Sequence, residues 1–194
     1  INAISEILPG VPNVAVFDTA FHQSMKPENF MYALPYEYYE KYGVRRYGFH
    51  GTSHKYVTSR VCEILEKDYN STRIINCHVG NGASICAVAD GRVVETSMWF
   101  TPLEGLVMGT RSGDLDPAII KFIANTEGKS INEIDDILNK KSGILGVSQI
   151  SSDMRDIEDG YAKGDERCTL VMDMYINRIV KYIGSYAALM WGVD

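Results

Sequence analysis

The chain has 194 residues and a formal net charge of −6, with 45% hydrophobic and 23% charged residues. This composition is typical of a folded globular chain and excludes a disordered, collagen-like or coiled-coil protein. Because the chain is acidic, has no Lys/Arg cluster and has no apolar run approaching ~18 residues, we expect no nucleic-acid partner and no membrane partner.

The first predicted element is a short buried strand. Val14–Phe17 is an apolar run with β-branched residues, and Asp18 follows it at the expected carboxyl end. Asp18 is therefore a candidate metal ligand or base, although a lone Asp after a strand is more often a turn former. Residues 22–50 are rich in Pro and Tyr and predict irregular structure with a short helix near 36–42.

A helix is predicted next, with Thr52 or Ser53 as its N-terminal cap and apolar spacing that continues to about Lys67. Its buried stripe is expected to consist of Val57, Val61, Ile64 and Leu65.

The clearest strand signals form one block. Arg73–Val79, Ala83–Ala89 and Arg92–Thr96 predict three consecutive strands, with tight turns at Gly80–Gly82 and Asp90–Gly91. The second turn is a two-residue hairpin type that favours positive φ. Such a block followed by helices is typical of the start of an actin-like nucleotide-binding domain, although many α+β folds begin in the same way.

Four helices are predicted after the strands. The first begins at Asp116–Pro117, and Ser130 with Glu133 forms a capping box for the second. A short helix is expected over 153–163 and a long one over 166–190. The core stripe of the long helix is expected to contain Cys168, Val171, Met172, Tyr175, Ile176, Ile179, Ile183 and Met190.

The cysteines have the spacing of neither a redox pair nor a zinc site. We therefore expect small buried apolar residues in a reducing compartment, which favours a cytoplasmic location. The four residues are Cys62, Cys77, Cys86 and Cys168.

The turn between the first two predicted strands, HVGNGAS at 78–84, has the features of an anion site. Gly80 and Gly82 let the backbone approach a ligand, and successive N–H groups in such a turn form an anion nest. His78 and the amide of Asn81 add donors for phosphate oxygens. By spacing alone, a tight hairpin with a structural Asn-Gly pair is an equally good interpretation.

The segment GLVMGTRSGDLD at 105–116 is also rich in glycine but lacks the Lys-Ser/Thr of a P-loop. It presents Arg111 among small residues, where an arginine can reach a transferring phosphoryl group. The alternative is a surface ion pair between Arg111 and Asp114. Asp116 is expected to cap a helix rather than to bind a metal.

Two further segments carry polar candidates. His50 precedes a predicted helix start, and a helix N-terminus with a histidine suits an anion, although a buried structural histidine fits as well. His54 lies inside the helix and is expected to be structural. Residues 152–155 either contact a nucleotide or cap a helix, with Arg155 exposed.

Taken together, these segments closely resemble the acetokinase family. The matching stretches are VFDTAFHQ (16–23), RRYGFHGTSH (45–54), HVGNGAS (78–84), TPLEGLVMGTRSGDLDPAI (101–119), and SGILG with SSDMRDIE (142–158). The resemblance implies an α/β, actin-like fold of the sugar kinase, Hsp70 and actin type, here a fragment with a mixed sheet flanked by helices. Residues 1–20 are then the end of the first domain, and 21–194 are most of the second, nucleotide-binding domain, truncated before its last strands.

The resemblance also implies roles for individual residues. The expected catalytic residues are Asp18, His50 and Arg111. The expected ATP phosphate-binding turn consists of His78, Val79, Gly80, Asn81 and Gly82. The expected adenosine-side contacts are Asp153, Met154 and Arg155.

The family moves the γ-phosphoryl group of ATP, with Mg²⁺, to a small carboxylate. The resemblance therefore implies reversible formation of acetyl phosphate and ADP from acetate and ATP by a homodimer. The family's Mg²⁺ ligands and its substrate-binding arginine are expected outside this chain, so the isolated segment is expected to be inactive. It is also expected to self-associate or to be marginally stable, because the apolar face of the helix over about 166–190 would lack the cover of the strands expected after Asp194. A propionate or butyrate kinase and a non-catalytic, actin-like nucleotide-binding module are the alternatives.

Overall fold

The computed structural model describes all 194 residues. It begins with a short helix, α1 (Asn2–Ile7), which contains no buried residue. The predicted strand Val14–Phe17 is wrong: the segment has no regular structure, and Val14 and Val16 are 84% and 76% exposed. None of the strands of the chain runs beside this segment, so its backbone has no partner for strand pairing and its apolar side chains are not covered by a sheet.

Short helical turns follow, as the irregular composition predicts. They are a 3₁₀ turn (Ala20–Ser24) and two helices, α2 (Pro27–Phe30) and α3 (Glu37–Tyr42). The helix α3 confirms the short helix expected near 36–42. Gly43 ends it in the left-handed conformation, with φ of 65°.

The sheet has three strands in the order β1–β2–β3: β1 (Arg73–Val79), β2 (Ala83–Ala89) and β3 (Arg92–Thr96). All three predicted strands are confirmed, and Asp90 and Gly91 have the expected positive φ of 51° and 74°. Both strand pairs are antiparallel. The expectation of a mixed sheet is therefore wrong for this chain, because tight turns join its only strands and such turns pair neighbours antiparallel.

The helix α4 (Gly51–Ile64) packs on β1 with a face that the apolar pattern did not predict. Its buried side chains are His54, Thr58 and Cys62, spaced four residues apart, whereas Ile64 is 62% exposed. The predicted stripe is wrong because the sheet presents polar partners to this helix. Asn76 of β1 donates to the Thr58 hydroxyl. Hydrogen bonding across the interface therefore decides which face is buried.

The remaining helices include the four predicted ones. Asp116 accepts a hydrogen bond from the backbone of Ala118 (2.9 Å), and the Ser130–Glu133 capping box is present. A further short helix, α7, was not predicted. The bounds are α5 (Ala118–Glu127), α6 (Ile131–Lys140), α7 (Gly143–Ser148), α8 (Met154–Ala162) and α9 (Glu166–Leu189).

The long helix α9 covers the sheet and forms the main core with the apolar residues of β2. Its buried face includes Tyr182 and Tyr186, whereas the predicted core residues Ile176 and Ile183 are exposed. The two tyrosines lie on the face of α9 that packs against β2, where each aromatic ring contributes a large buried apolar area. The core cluster is Ala83, Ile85, Ala87, Met98, Leu106, Met108, Tyr182, Tyr186 and Met190.

Three of the cysteines, Cys62, Cys86 and Cys168, are buried as predicted, but Cys77 on β1 is exposed. None of the helices has both the length and the apolar character needed to cross a lipid bilayer.

Candidate active site

The turn between β1 and β2 is hydrogen-bonded to the glycine-rich segment at 105–116, which follows the sheet. The backbone N–H of Gly109 donates to the Asn81 carbonyl (2.9 Å), and the N–H of Leu145 donates to the Gly109 carbonyl (2.9 Å). A Cβ atom at Gly109 would lie only 1.8 Å from Asn81 Oδ1. Gly109 is therefore required for the close approach of these two loops. The hydrogen bond from Leu145 connects the same segment to the helix over 143–148.

A cleft of about 390 Å³ opens beside this turn. The middle of the expected phosphate turn, Val79–Asn81, lines it together with residues 152–154, so the structure brings together two segments that are distant in sequence. His78 and Gly82, at the two ends of that turn, do not line it. Its lining consists of Val79, Gly80, Asn81, Gly109, Ile144, Ser152, Asp153, Met154 and Tyr175.

Arg155 does not line the cleft. Its guanidinium is bound by the Asp153 carboxylate (Nε to Oδ1, 3.0 Å), and its side chain is exposed. Asp153 also caps α8 by accepting from the Arg155 backbone N–H (2.9 Å). These hydrogen bonds lower the pKa of Asp153 to about 2. For Arg155, the structure therefore matches the alternative of a helix cap with an exposed arginine.

His50 stands at the N-terminus of α4 in the left-handed conformation, with φ of 56°. Its backbone N–H donates to Asp18 Oδ2 (2.5 Å), and the N–H of Gly51 donates to the Asp18 carbonyl (2.8 Å). A Cβ at Gly51 would lie 2.1 Å from that carbonyl oxygen. Asp18 thus binds the first free N–H groups of the helix, where a negative charge is favourable, and it fixes the position of His50.

The His50 side chain belongs to a cluster of polar groups between α4 and the sheet. The Ser84 hydroxyl oxygen lies 2.9 Å from His50 Nδ1 and 2.8 Å from His54 Nε2. The rings of His50 and His78 stack with their centroids 4.0 Å apart, and His78 Nδ1 lies 2.9 Å from the Ser53 hydroxyl. His54 is completely buried, as expected of a structural histidine.

Burial favours the neutral form of two histidines of this cluster, His54 and His50. It is the main cause that lowers the pKa of His54 to about 3, with a smaller contribution from His22. The pKa of His50 is also lowered, first by burial and then by the neighbouring His78. Both rings therefore carry one proton each at neutral pH.

Arg111 approaches the same turn from the glycine-rich segment. A Cβ atom at Gly82 would lie 3.5 Å from Arg111 Nη1 and 3.7 Å from His50 Nε2, so both groups lie beside this glycine. The alternative pairing of Arg111 with Asp114 is wrong, because Asp114 pairs with Arg178 (2.8 Å). Arg111 Nη1 has only a long contact with the Pro102 carbonyl (3.4 Å) and a thioether contact, so its charge has no carboxylate partner.

No three His, Cys, Asp or Glu side chains come together as a set of metal ligands. Mg²⁺ in nucleotide sites usually takes one or two carboxylates together with phosphate oxygens and waters. Near His50, Asp18 is already engaged with the N-terminus of α4.

Sequence reasoning missed four residues of this region: Ser84, Gly109, Ile144 and Tyr175. Ser84 had a usable signal, since it is a polar residue inside the apolar run of β2. Ile144 and Tyr175 had none, because an apolar residue that lines a cleft has the same sequence pattern as one in the core.

A family model described as the Acetokinase family matches residues 1–194. The chain belongs to the acetokinase family. It is 65% identical to an acetate kinase of Thermotoga maritima over 195 residues, which cover 100% of the chain and 48% of that relative. It is 60% identical to an acetate kinase of Anoxybacillus flavithermus, over 100% of the chain and 49% of that relative. The chain thus spans about half the length of the curated relatives it matches.

Two solved structures agree with the fold. The Porphyromonas gingivalis acetate kinase superposes with a TM-score of 0.96 at 56% identity, over 100% of this chain and 48% of the other. A propionate kinase from Francisella tularensis superposes with a TM-score of 0.93 at 46% identity, over 97% and 48%. The actin-like α/β fold is confirmed.

Proposed function

We propose that the full-length protein is an acetate kinase, which transfers the γ-phosphoryl group of ATP to acetate and forms acetyl phosphate and ADP reversibly. The observation that supports this most directly is the approach of His50 Nε2 and Arg111 Nη1 to the same glycine, Gly82, beside the cleft. Because the chain spans about half of its relatives, the activity is assigned to the full-length protein.

The chemistry explains why this pair of groups is suitable. A carboxylate such as acetate is a weak nucleophile and has no proton to remove, so the site must stabilise charge on the transferring phosphoryl group. Arg111 supplies a positive charge that no carboxylate neutralises, and His50 supplies a neutral ring. Asp18 acts through the backbone of His50, which it holds in place.

The cleft supplies the nucleotide side of the proposal. Residues His78–Gly82 would hold the ATP phosphates, and Asp153 and Met154 would contact the adenosine side across the cleft. Arg155 joins them only if it leaves Asp153 when nucleotide binds. Mg²⁺ would arrive with ATP and neutralise phosphate charge, with its protein ligands supplied from outside this chain.

The family resemblance supports three further parts of the proposal. Residues 1–20 would be the end of a first domain, and 21–194 most of a second, nucleotide-binding domain. The full-length protein would act as a homodimer in the cytoplasm.

The deciding experiment is the hydroxamate assay for acetyl phosphate on the full-length protein with ATP, Mg²⁺ and acetate. A clear signal is expected, and tight ATP binding with only background acetyl phosphate would favour a non-catalytic binding module instead. The similarity to a propionate kinase makes propionate kinase the second candidate. Comparison of kcat/KM for acetate, propionate and butyrate separates the two, with partial overlap expected because one methylene is worth only ~1–3 kcal/mol.

A further inference from the structure

The Ser84 hydroxyl, which carries a single proton, lies between two histidines. Ser84 is completely buried on β2, and its Oγ atom lies 2.9 Å from His50 Nδ1 and 2.8 Å from His54 Nε2. A hydroxyl donates one hydrogen bond and accepts up to two. If both contacts are hydrogen bonds, Ser84 donates to at most one histidine and the other histidine must donate to Ser84.

The burial of His54 decides which of the two histidines donates its hydrogen bond to Ser84. Its ring is neutral, so it carries one N–H, and the contact of Nε2 with Ser84 is its only side-chain hydrogen bond. No protein acceptor lies within hydrogen-bond distance of Nδ1, so a proton there would be a donor without a protein partner on a side chain that is only 1% exposed. Proteins avoid such donors more strictly than an unused lone pair. The proton therefore belongs on Nε2 of His54, which donates to the Ser84 oxygen.

The consequence reaches the turn at Gly82 through His50. With His54 donating to it, the Ser84 hydroxyl donates its own proton to Nδ1 of His50. The single proton of the neutral His50 ring must then be on Nε2, the atom that approaches Gly82 together with Arg111.

We propose that Ser84 is a positioning residue that holds His50 in the Nε2–H tautomer, so that this N–H and Arg111 together donate to the transferring phosphoryl group. The inference rests on the proposed phosphotransferase function. In the opposite tautomer, a lone pair on Nε2 would face the phosphate oxygens and repel them. A catalytic histidine held in the wrong tautomer loses most of its activity even where the geometry is intact.

Neutron diffraction on deuterium-exchanged crystals of the full-length protein tests the proton positions directly. We expect deuterium on Nε2 of His50, on Nε2 of His54 and on the Ser84 oxygen, pointing at His50. Deuterium on Nδ1 of His50, with or without deuterium on Nε2, would overturn the proposal. This measurement uses the unmodified protein and does not depend on whether it makes acetyl phosphate.

A pair of serine variants tests the effect on the reaction. Ser84→Ala should lower kcat for acetyl phosphate formation roughly tenfold to a hundredfold, by analogy with the loss of partners that orient metal-bound histidines. KM for ATP should be unchanged, and Ser84→Thr, which keeps the hydroxyl, should recover activity. Ser97 is the matched control: it is equally buried, but its hydroxyl accepts from the backbone N–H of Ile85 (2.9 Å) and touches no histidine.

The possible outcomes distinguish the positioning role of Ser84 from the proposed phosphotransferase function. Equal losses of kcat in Ser84→Ala and Ser97→Ala would overturn the positioning role, because both would then reflect packing alone. If the unmodified protein makes no acetyl phosphate while the neutron map shows the expected deuterium positions, the proposed function fails and the tautomer assignment stands. If Ser84→Ala does not fold, the neutron map still decides.

Discussion

The imidazole rings of His50 and His78 lie almost parallel, with their centroids 4.0 Å apart and their planes inclined by 21°. One ring belongs to the N-terminus of α4 and the other to the end of β1. Two positive rings at this distance would repel each other, which adds to the effect of burial in lowering the pKa of His50. This contact joins the part of the site that we assign to the phosphoryl group with the part that we assign to the nucleotide.

The first prediction concerns the pKa of His50 after removal of its stacking partner. Burial is the larger cause of its lowered pKa, and His78 is the second. In His78→Asn, the pKa of His50 should therefore rise but remain below the ordinary value, because burial persists. An NMR titration of the His50 ring C–H in the full-length protein measures it. Lys41→Ala, which removes an exposed ion pair with Glu37, is the control and should leave this pKa unchanged.

The second prediction is a loss of stability in acid that depends on His54. Its pKa falls from 6.5 in the unfolded chain to about 3 in the folded one, so between these values the unfolded state binds one more proton. The free energy of unfolding should then decrease as pH falls below 6.5, by up to ~1.4 kcal/mol per pH unit for this one group.

Urea denaturation of the full-length protein at pH 7 and pH 5 measures this loss. His54→Gln cannot take up the proton and keeps an amide near the Ser84 hydroxyl, so the difference between the two pH values should be smaller in the variant. An equal difference in both proteins would show that other groups, such as carboxylates, cause the whole effect.

The third prediction concerns the approach of Gly109 to Asn81. In Gly109→Ala, the new methyl group would collide with the Asn81 side-chain amide and push the β1–β2 turn away from the cleft. ATP affinity of the full-length protein, measured by calorimetry, should fall. Gly184→Ala is the control, since a Cβ there meets nothing within 4 Å. That substitution should leave ATP affinity unchanged and stabilise α9 by roughly 0.5–1 kcal/mol.

The fourth prediction concerns the charge of Arg111. Arg111→Ala in the full-length protein should lower kcat by roughly 10²–10³, comparable to the loss of one oxyanion donor. Arg60→Ala should leave kcat unchanged, because Arg60 pairs with Glu63 on the exposed side of α4. An unchanged kcat in Arg111→Ala would remove Arg111 from the proposed mechanism.

Local sequence signals predicted the elements whose ends they mark. The three strands were correct because turn residues such as Asp90–Gly91 terminate them, and α6 was correct because its capping box is a local pattern. The run Val14–Phe17 failed because a strand needs a neighbour, and this chain provides none beside it. An apolar run therefore predicts burial only where a neighbouring strand or helix is available to cover it.

The site was predictable to a similar extent. Motifs singled out His50, Arg111 and the turn at 78–82 as candidates, because glycines and charged residues in loops can be recognised from the sequence alone. The link from His54 through Ser84 to His50 was not predictable, because it depends on which face of α4 meets the sheet. The apolar pattern of α4 indicated a neighbouring face instead.

The last prediction concerns the 194-residue chain expressed alone. Its N-terminal segment leaves several large apolar side chains, among them Val14, Val16 and Phe17, mostly exposed to solvent. Apolar patches above a few hundred Å² promote association. The chain should therefore self-associate in sedimentation velocity, and Val14→Ser with Val16→Ser should reduce the association. It should also form no acetyl phosphate under conditions in which the full-length protein does. A monodisperse monomer that unfolds cooperatively would contradict the first expectation, and turnover by the pure chain would contradict the second.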